Sequence, residues 1–101
     1  MRPVRFSPFV LDDLADAASW YDRQQSGVGD RFLAEFRKTA GKIAGIGLVL
    51  RRSYGEFRHL KTHGFPYLVY YREDAEGFFV ALVVNAARDP ALIRQLLAER
   101  R

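Results

Sequence analysis

Cysteine is absent from this chain of 101 residues, and its absence excludes disulfide bonds and thiolate zinc sites. No apolar run approaches the roughly 20 residues that a membrane-spanning helix requires. The N-terminus, Met1 to Arg5, lacks the apolar segment of a signal peptide, so we expect a cytoplasmic protein without membrane association. His59 and His63 have no third ligand near them in the sequence, and no metal site is predicted.

Motifs for covalent catalysis and for phosphate binding are also scarce. The serines lie in cap, helix and turn contexts, none of them within a nucleophile elbow. Gly27-Val28-Gly29 lacks the third glycine and the preceding strand of a dinucleotide site. We therefore predict no hydrolase triad and no cofactor.

Positive charge is concentrated in the middle third of the chain. The net charge is +4, and residues 37–72 carry eight basic side chains against Glu56 alone. A basic region of this kind favours an acidic partner, either nucleic acid or an acidic protein surface. The alternative is a solvated basic face without a partner.

The first half of the sequence predicts a helical hairpin. Ser7-Pro8 is typical of a helix start, and the apolar spacing predicts a helix over residues 8–25. A second helix follows the Ser26-to-Gly29 break, with an apolar stripe of Phe32, Phe36, Ala40 and Ile43. Glycines 41, 45 and 47 are predicted to end it. Trp20 lies off the apolar stripe of the first helix, so it either seals the helices against the sheet or contacts a partner peptide.

The second half has the period of strands. Residues 56–62, 67–72 and 78–85 are predicted strands, and the last, apolar on both faces, is expected to be central. Val4 to Phe6 is predicted as a short strand beside it. Pro90 to Glu99 is predicted as a final helix. The length fits one domain spanning residues 1–101.

Basic and aromatic side chains on these strands are the candidates for chemistry. Arginine and lysine suit phosphate contacts, and tyrosine offers a face for stacking on a base. A metal-free ribonuclease could use such groups. The alternative is that the tyrosines complete a small core with their hydroxyls outward, while the arginines are ordinary charges at strand ends. The set comprises Arg58, His59, Lys61, Tyr67, Tyr70, Tyr71, Arg72 and Arg88.

Several motifs follow one another in a characteristic order. They are Trp20-Tyr21, Gly-x-Gly before Phe32-Leu33-x-x-Phe36, Arg58, Phe65-Pro66-Tyr67, and Val-x-Asn-x-x-Arg88-Asp89-Pro90. In this order the chain resembles the RelE/ParE superfamily of toxins from type II toxin–antitoxin, or plasmid stabilisation, systems. The resemblance implies an α+β fold in which an N-terminal helical hairpin packs on a small twisted antiparallel sheet, in the order β-α-α-β-β-β with a short C-terminal helix. It also implies a hetero-oligomer with a cognate antitoxin.

The family has two branches with different targets. RelE-like members cleave mRNA on the ribosome with basic residues and often a tyrosine, whereas ParE-like members inhibit DNA gyrase. Here the lysine-rich segment is reduced to Arg51-Arg52 and Lys61, the C-terminal helix has no tyrosine or histidine, and Asn85 stands where many relatives have histidine. The resemblance is therefore closer to the ParE-like branch, and an inhibitor of gyrase is expected.

Two alternatives remain open. A RelE-like endoribonuclease would use Arg58, Lys61 and Arg88 to stabilise the scissile phosphate, with Tyr71 stacking or transferring a proton. A degenerate domain would bind the antitoxin without toxicity. In each case Leu14, Trp20 and Arg58 are the residues expected to contact the antitoxin.

Overall fold

The computed structural model describes residues 2–101, which form three helices and a five-stranded sheet. None of the helices in this range is both long and apolar enough to cross a membrane. The elements in chain order are β1 (Val4–Phe6), α1 (Pro8–Gln24), α2 (Val28–Ile46), β2 (Arg52–Tyr54), β3 (Phe57–Lys61), β4 (Tyr67–Asp74), β5 (Gly77–Asn85) and α3 (Pro90–Glu99).

The sheet has the strand order β1-β5-β4-β3-β2. The α1–α2 hairpin packs on one face through a cluster that includes Phe32, Val69 and Tyr71. Helix α3 packs on the other face, where Ile93 and Leu97 contact a second cluster. The predicted α+β layout, with a helical hairpin on a sheet, is confirmed.

Two details of the sheet differ from the prediction. Strand β1 runs parallel to β5, which makes the sheet mixed. No hairpin turn joins these two strands, so their direction is not constrained to be antiparallel. The extra strand β2 is short and all three of its residues are exposed, and it lacks the apolar alternation by which a strand is predicted.

The helix starts follow the sequence, but one helix end does not. The Ser7 hydroxyl accepts a hydrogen bond from the Phe9 N–H (3.2 Å) and Pro8 occupies the first turn. Helix α2 continues through Gly41 and Gly45 and ends only at Gly47. Both inner glycines are exposed, and the apolar face of the helix stays packed, which outweighs a cost of about 1 kcal/mol for each glycine.

Arginines tie β1 to the β4–β5 hairpin. Arg5 and Arg72 both pair with Asp74, and the Arg72 pair measures 3.2 Å. Arg2 pairs with Glu73 at 2.7 Å. The hydrogen bond from Arg5 is the main cause that lowers the pKa of the Asp74 carboxyl below its ordinary value of 3.8, against an opposing effect of burial.

We predict that Asp74→Asn makes the protein less sensitive to acid. Because the pKa of Asp74 is lower in the folded than in the unfolded chain, its contribution to stability is present above about pH 4 and is lost as the pH falls through the folded pKa. Urea unfolding at pH 7 and at steps below pH 4 measures this. The stability difference between the two proteins should shrink with falling pH, and a constant difference would contradict the prediction.

Candidate functional site

Arg58 lies on the sheet face covered by the helical hairpin. It stands opposite Tyr71 of β4 and opposite Arg52 of β2. Its Nε donates a hydrogen bond to the Leu50 carbonyl (2.8 Å) in the connection that follows α2. The guanidinium is therefore held at the end of the hairpin, half-buried.

Tyr71 is part of the core. Its side chain is 0% exposed, and its hydroxyl donates to the Gly47 carbonyl at 2.7 Å. Burial raises the pKa of this hydroxyl, while the charge of Arg58 acts in the opposite direction. A fully buried ring has no free face for a base, so the structure gives no support to stacking by Tyr71 on a substrate. The ring lies in the core, but its hydroxyl is turned inward to Gly47 and not outward as the alternative expected.

Tyr71→Phe should therefore act on stability rather than on any reaction. The change leaves the Gly47 carbonyl without its donor, and we expect a loss of about 1–2 kcal/mol in the free energy of unfolding. Guanidinium unfolding followed by circular dichroism measures it. An unchanged midpoint would show that the hydrogen bond contributes nothing to stability.

The other two candidate nuclease residues, Lys61 and Arg88, do not lie beside Arg58 and Tyr71. Lys61 stands opposite Leu68, whose side chain packs with the α3 cluster, so it projects from the face opposite to Arg58. Arg88 is exposed in the turn between β5 and α3. The structure does not bring Arg58, Lys61, Tyr71 and Arg88 together on one surface.

Arg52 is the neighbour of Arg58 that the sequence analysis missed. The two are cross-strand partners, and within residues 2–101 neither forms an ion pair with a carboxylate, since the ion pairs there involve other arginines and Lys38. Like charges directly opposite each other destabilise a sheet, and a bound anion would relieve their repulsion. Only the pairing of β2 with β3 reveals this juxtaposition.

A first groove runs between the two long helices and β1. We call it the hairpin groove, and its apolar lining has one basic residue at the rim. Leu11 is 65% exposed there, whereas the predicted partner-binding Leu14 is half-buried and packs against the core. The residues that define it are Phe6, Leu11, Leu14, Leu33, Phe36 and Arg37.

A second groove of about 630 Å³ lies between α1 and α3, along the edge of β5. We call it the edge groove. Trp20 is 50% exposed in it and packs edge-to-face on Tyr21, its neighbour on α1, at 5.2 Å. The residues that define it are Trp20, Arg23, Val83, Asn85, Arg88 and Leu92.

The three residues expected to contact an antitoxin thus lie in three places. Leu14 is in the hairpin groove, Trp20 is in the edge groove, and Arg58 is on β3 at the end of the hairpin. A compact ligand cannot cover all three. An extended polypeptide that passes around the molecule can.

Within residues 2–101 no group of three or more histidines and carboxylates is placed to hold a metal ion. Comparison of the sequence with models of protein families and with curated proteins finds no match. The function is therefore inferred from the geometry together with the resemblance described above.

Proposed function

We propose that the protein is the toxin of a type II toxin–antitoxin system and belongs to the ParE-like branch of the RelE/ParE superfamily. In this proposal it inhibits DNA gyrase by binding, and a cognate antitoxin neutralises it. The dispersal of the four candidate nuclease residues carries this proposal. Arg58 and Lys61 project from opposite faces of the sheet and Tyr71 is buried, an arrangement that supports binding rather than cleavage.

The hairpin groove is the proposed main site for the antitoxin. Its lining is almost entirely apolar, and Arg37 of α2 is the one basic residue in it and is exposed. An amphipathic helix with acidic residues beside its apolar face complements both features. From there an extended tail can reach Trp20 in the edge groove.

Purified protein tests the toxic activity directly. We expect it to inhibit supercoiling by DNA gyrase in a concentration-dependent manner, and to leave ribosome-bound mRNA intact in a translation reaction. Message cleavage that is lost on Arg88→Ala would overturn the gyrase proposal. Absence of both effects, with no growth arrest on expression, would support the degenerate domain instead.

The antitoxin site is tested with Leu11→Glu. A carboxylate among the apolar side chains of the hairpin groove should weaken the complex at least tenfold, equivalent to about 1.4 kcal/mol. Leu11 is highly exposed, so the fold should tolerate the change. The partner to be tested is the product of a short reading frame next to this gene, should one encode a protein with a DNA-binding N-terminal half, and its affinity is measured by calorimetry.

Val49→Glu is the matched control, because Val49 is 81% exposed and does not line the hairpin groove. It should bind as the unchanged protein does. Equal affinity of Leu11→Glu would place the antitoxin elsewhere.

The paired arginines favour one alternative, a RelE-like endoribonuclease. Arg52 and Arg58 are cross-strand partners, and two neighbouring arginines would suit a phosphate, but Lys61 projects from the opposite face of the sheet. Under this alternative Arg58→Ala would abolish cleavage of ribosome-bound message, whereas Tyr71→Phe would retain it in protein that is still folded.

A further inference from the structure

One edge of β5 is open over half of its length. Strand β1 pairs with β5 only at Phe78, Phe79 and Val80, after which the chain turns into α1. The remainder of β5, from Ala81 to Asn85, has β4 on one side and no strand of residues 2–101 on the other. An open edge of this kind presents backbone groups that a further strand can bind.

An ion pair already occupies part of this edge. Asp13 of α1 accepts a hydrogen bond from the Val83 N–H (3.0 Å), and Arg100, which follows α3, donates to the Ala81 carbonyl (3.1 Å). Arg100 also pairs with Asp13 through two contacts, at 2.6 and 3.1 Å. The two side chains thus supply the acceptor and the donor that a neighbouring strand would supply.

The next two backbone groups on this edge have no hydrogen-bond partner within residues 2–101, although Val83 as a residue is only 4% exposed. The Val83 N–H points away from β4, so the Val83 carbonyl and the Asn85 N–H point the same way, since residues two apart in a strand share an edge. The Asn85 carbonyl accepts from the Arg88 N–H (3.0 Å). The Val83 carbonyl and the Asn85 N–H are then the acceptor and donor with which an extended residue opposite Val84 would pair.

The walls of the edge groove fit the side chains of such a residue and its neighbours. Trp20 and Leu92 supply apolar surface on the α1 and α3 sides. Arg23 and Arg88 lie exposed in the groove, and within residues 2–101 neither belongs to an ion pair. Their charge favours carboxylates on the bound segment.

We propose that the edge groove binds an extended, acidic segment of a partner protein, which adds a short strand to β5 at Val83 and Asn85. A helix satisfies its own backbone groups and would leave these two unpaired. A nucleic acid backbone offers acceptors for the arginines but no donor for the Val83 carbonyl.

This proposal rests on the proposed function for the identity of the partner, the extended tail of the antitoxin, but its test concerns peptide binding alone and its outcome is independent of the gyrase assay. The probe is an acetylated octapeptide of alternating valine and glutamate with a fluorescein label. Fluorescence polarisation gives its affinity, and nuclear magnetic resonance of labelled protein locates it. We expect saturable binding, with the Asn85 amide among the largest shifts and its hydrogen exchange slowed.

Charge-reversal variants sharpen the test. Arg88→Glu and Arg23→Glu should each weaken peptide binding about tenfold or more, whereas Arg94→Glu, an exposed arginine of α3 that does not line the groove, should not. All three positions are exposed, and circular dichroism verifies the fold. The same peptide with N-methylated valines, which cannot donate from those residues, should also bind about tenfold more weakly.

Several results would overturn the proposal. These are equal binding of the N-methylated peptide, shifts confined to the hairpin groove, displacement of the peptide by a single-stranded oligonucleotide, or no saturation. Sedimentation of the protein alone completes the test, because a dimer in which the Asn85 amide is already protected would assign this edge to a second copy.

Discussion

Asp13→Ala is expected to lower the free energy of unfolding by about 3 kcal/mol. The change removes the acceptor of the Val83 N–H and the partner of Arg100, whose side chain is only 12% exposed. The folded protein is destabilised by a largely buried guanidinium that has no carboxylate partner, and also by a backbone N–H that has lost its acceptor. This is a large part of the 5–15 kcal/mol that stabilises a typical domain.

Urea unfolding monitored by circular dichroism measures the loss. Arg101→Met is the matched control, because its pair with Glu56 is exposed and should contribute less than about 1 kcal/mol. A double-mutant cycle of Asp13→Ala with Arg100→Met isolates the coupling of the pair. If Asp13→Ala unfolds with the same midpoint as Arg101→Met, the ion pair does not hold α3 to α1.

Gly47→Ala is expected to cost about 2–3 kcal/mol through overpacking. A Cβ at this position would lie 2.6 Å from the Ile43 carbonyl oxygen and 2.6 Å from the Phe78 ring. Phe78 is itself buried against Tyr71, so it has little room to move. Gly47 also supplies the carbonyl to which the Tyr71 hydroxyl donates. A shift of the backbone at Gly47 would weaken that hydrogen bond as well.

Gly45→Ala is the control for this prediction. Gly45 lies in α2. Apart from its chain neighbours and the nearby backbone of its own helix, no described atom lies within 4 Å of a Cβ added there. The alanine should raise stability by about 0.5–1 kcal/mol, since alanine favours the helix. Thermal unfolding of both variants tests the contrast. Similar changes at the two positions would mean that the space around Gly47 adapts freely.

The secondary structure was largely predictable because its determinants are local. Ser7-Pro8 caps α1 as predicted, and the apolar stripe of α2, from Phe32 to Ile43, is buried throughout. The predictions failed at β2 and at Gly41 and Gly45. In each case contacts with distant parts of the chain outweighed a weak local preference.

The candidate site was less predictable. The alternation of side chains along β3 is enough to separate Arg58 from Lys61, and this information is present in the sequence. Tyr71 is different, because the same strand pattern suits a buried or an exposed tyrosine. Only the position of Gly47 beneath its hydroxyl decides between them.

The sequence by itself determined the order of the three helices and of four of the five strands, the absence of cysteine chemistry and the basic middle third, because each of these depends on residue type and short spacing. Only the tertiary structure decided which residues that are distant in the chain come into contact. Asp13 and Arg100 are 87 residues apart in the chain, yet together they cover part of the β5 edge and leave Val83 and Asn85 open. Such pairs depend on how three layers pack, and no local pattern encodes them.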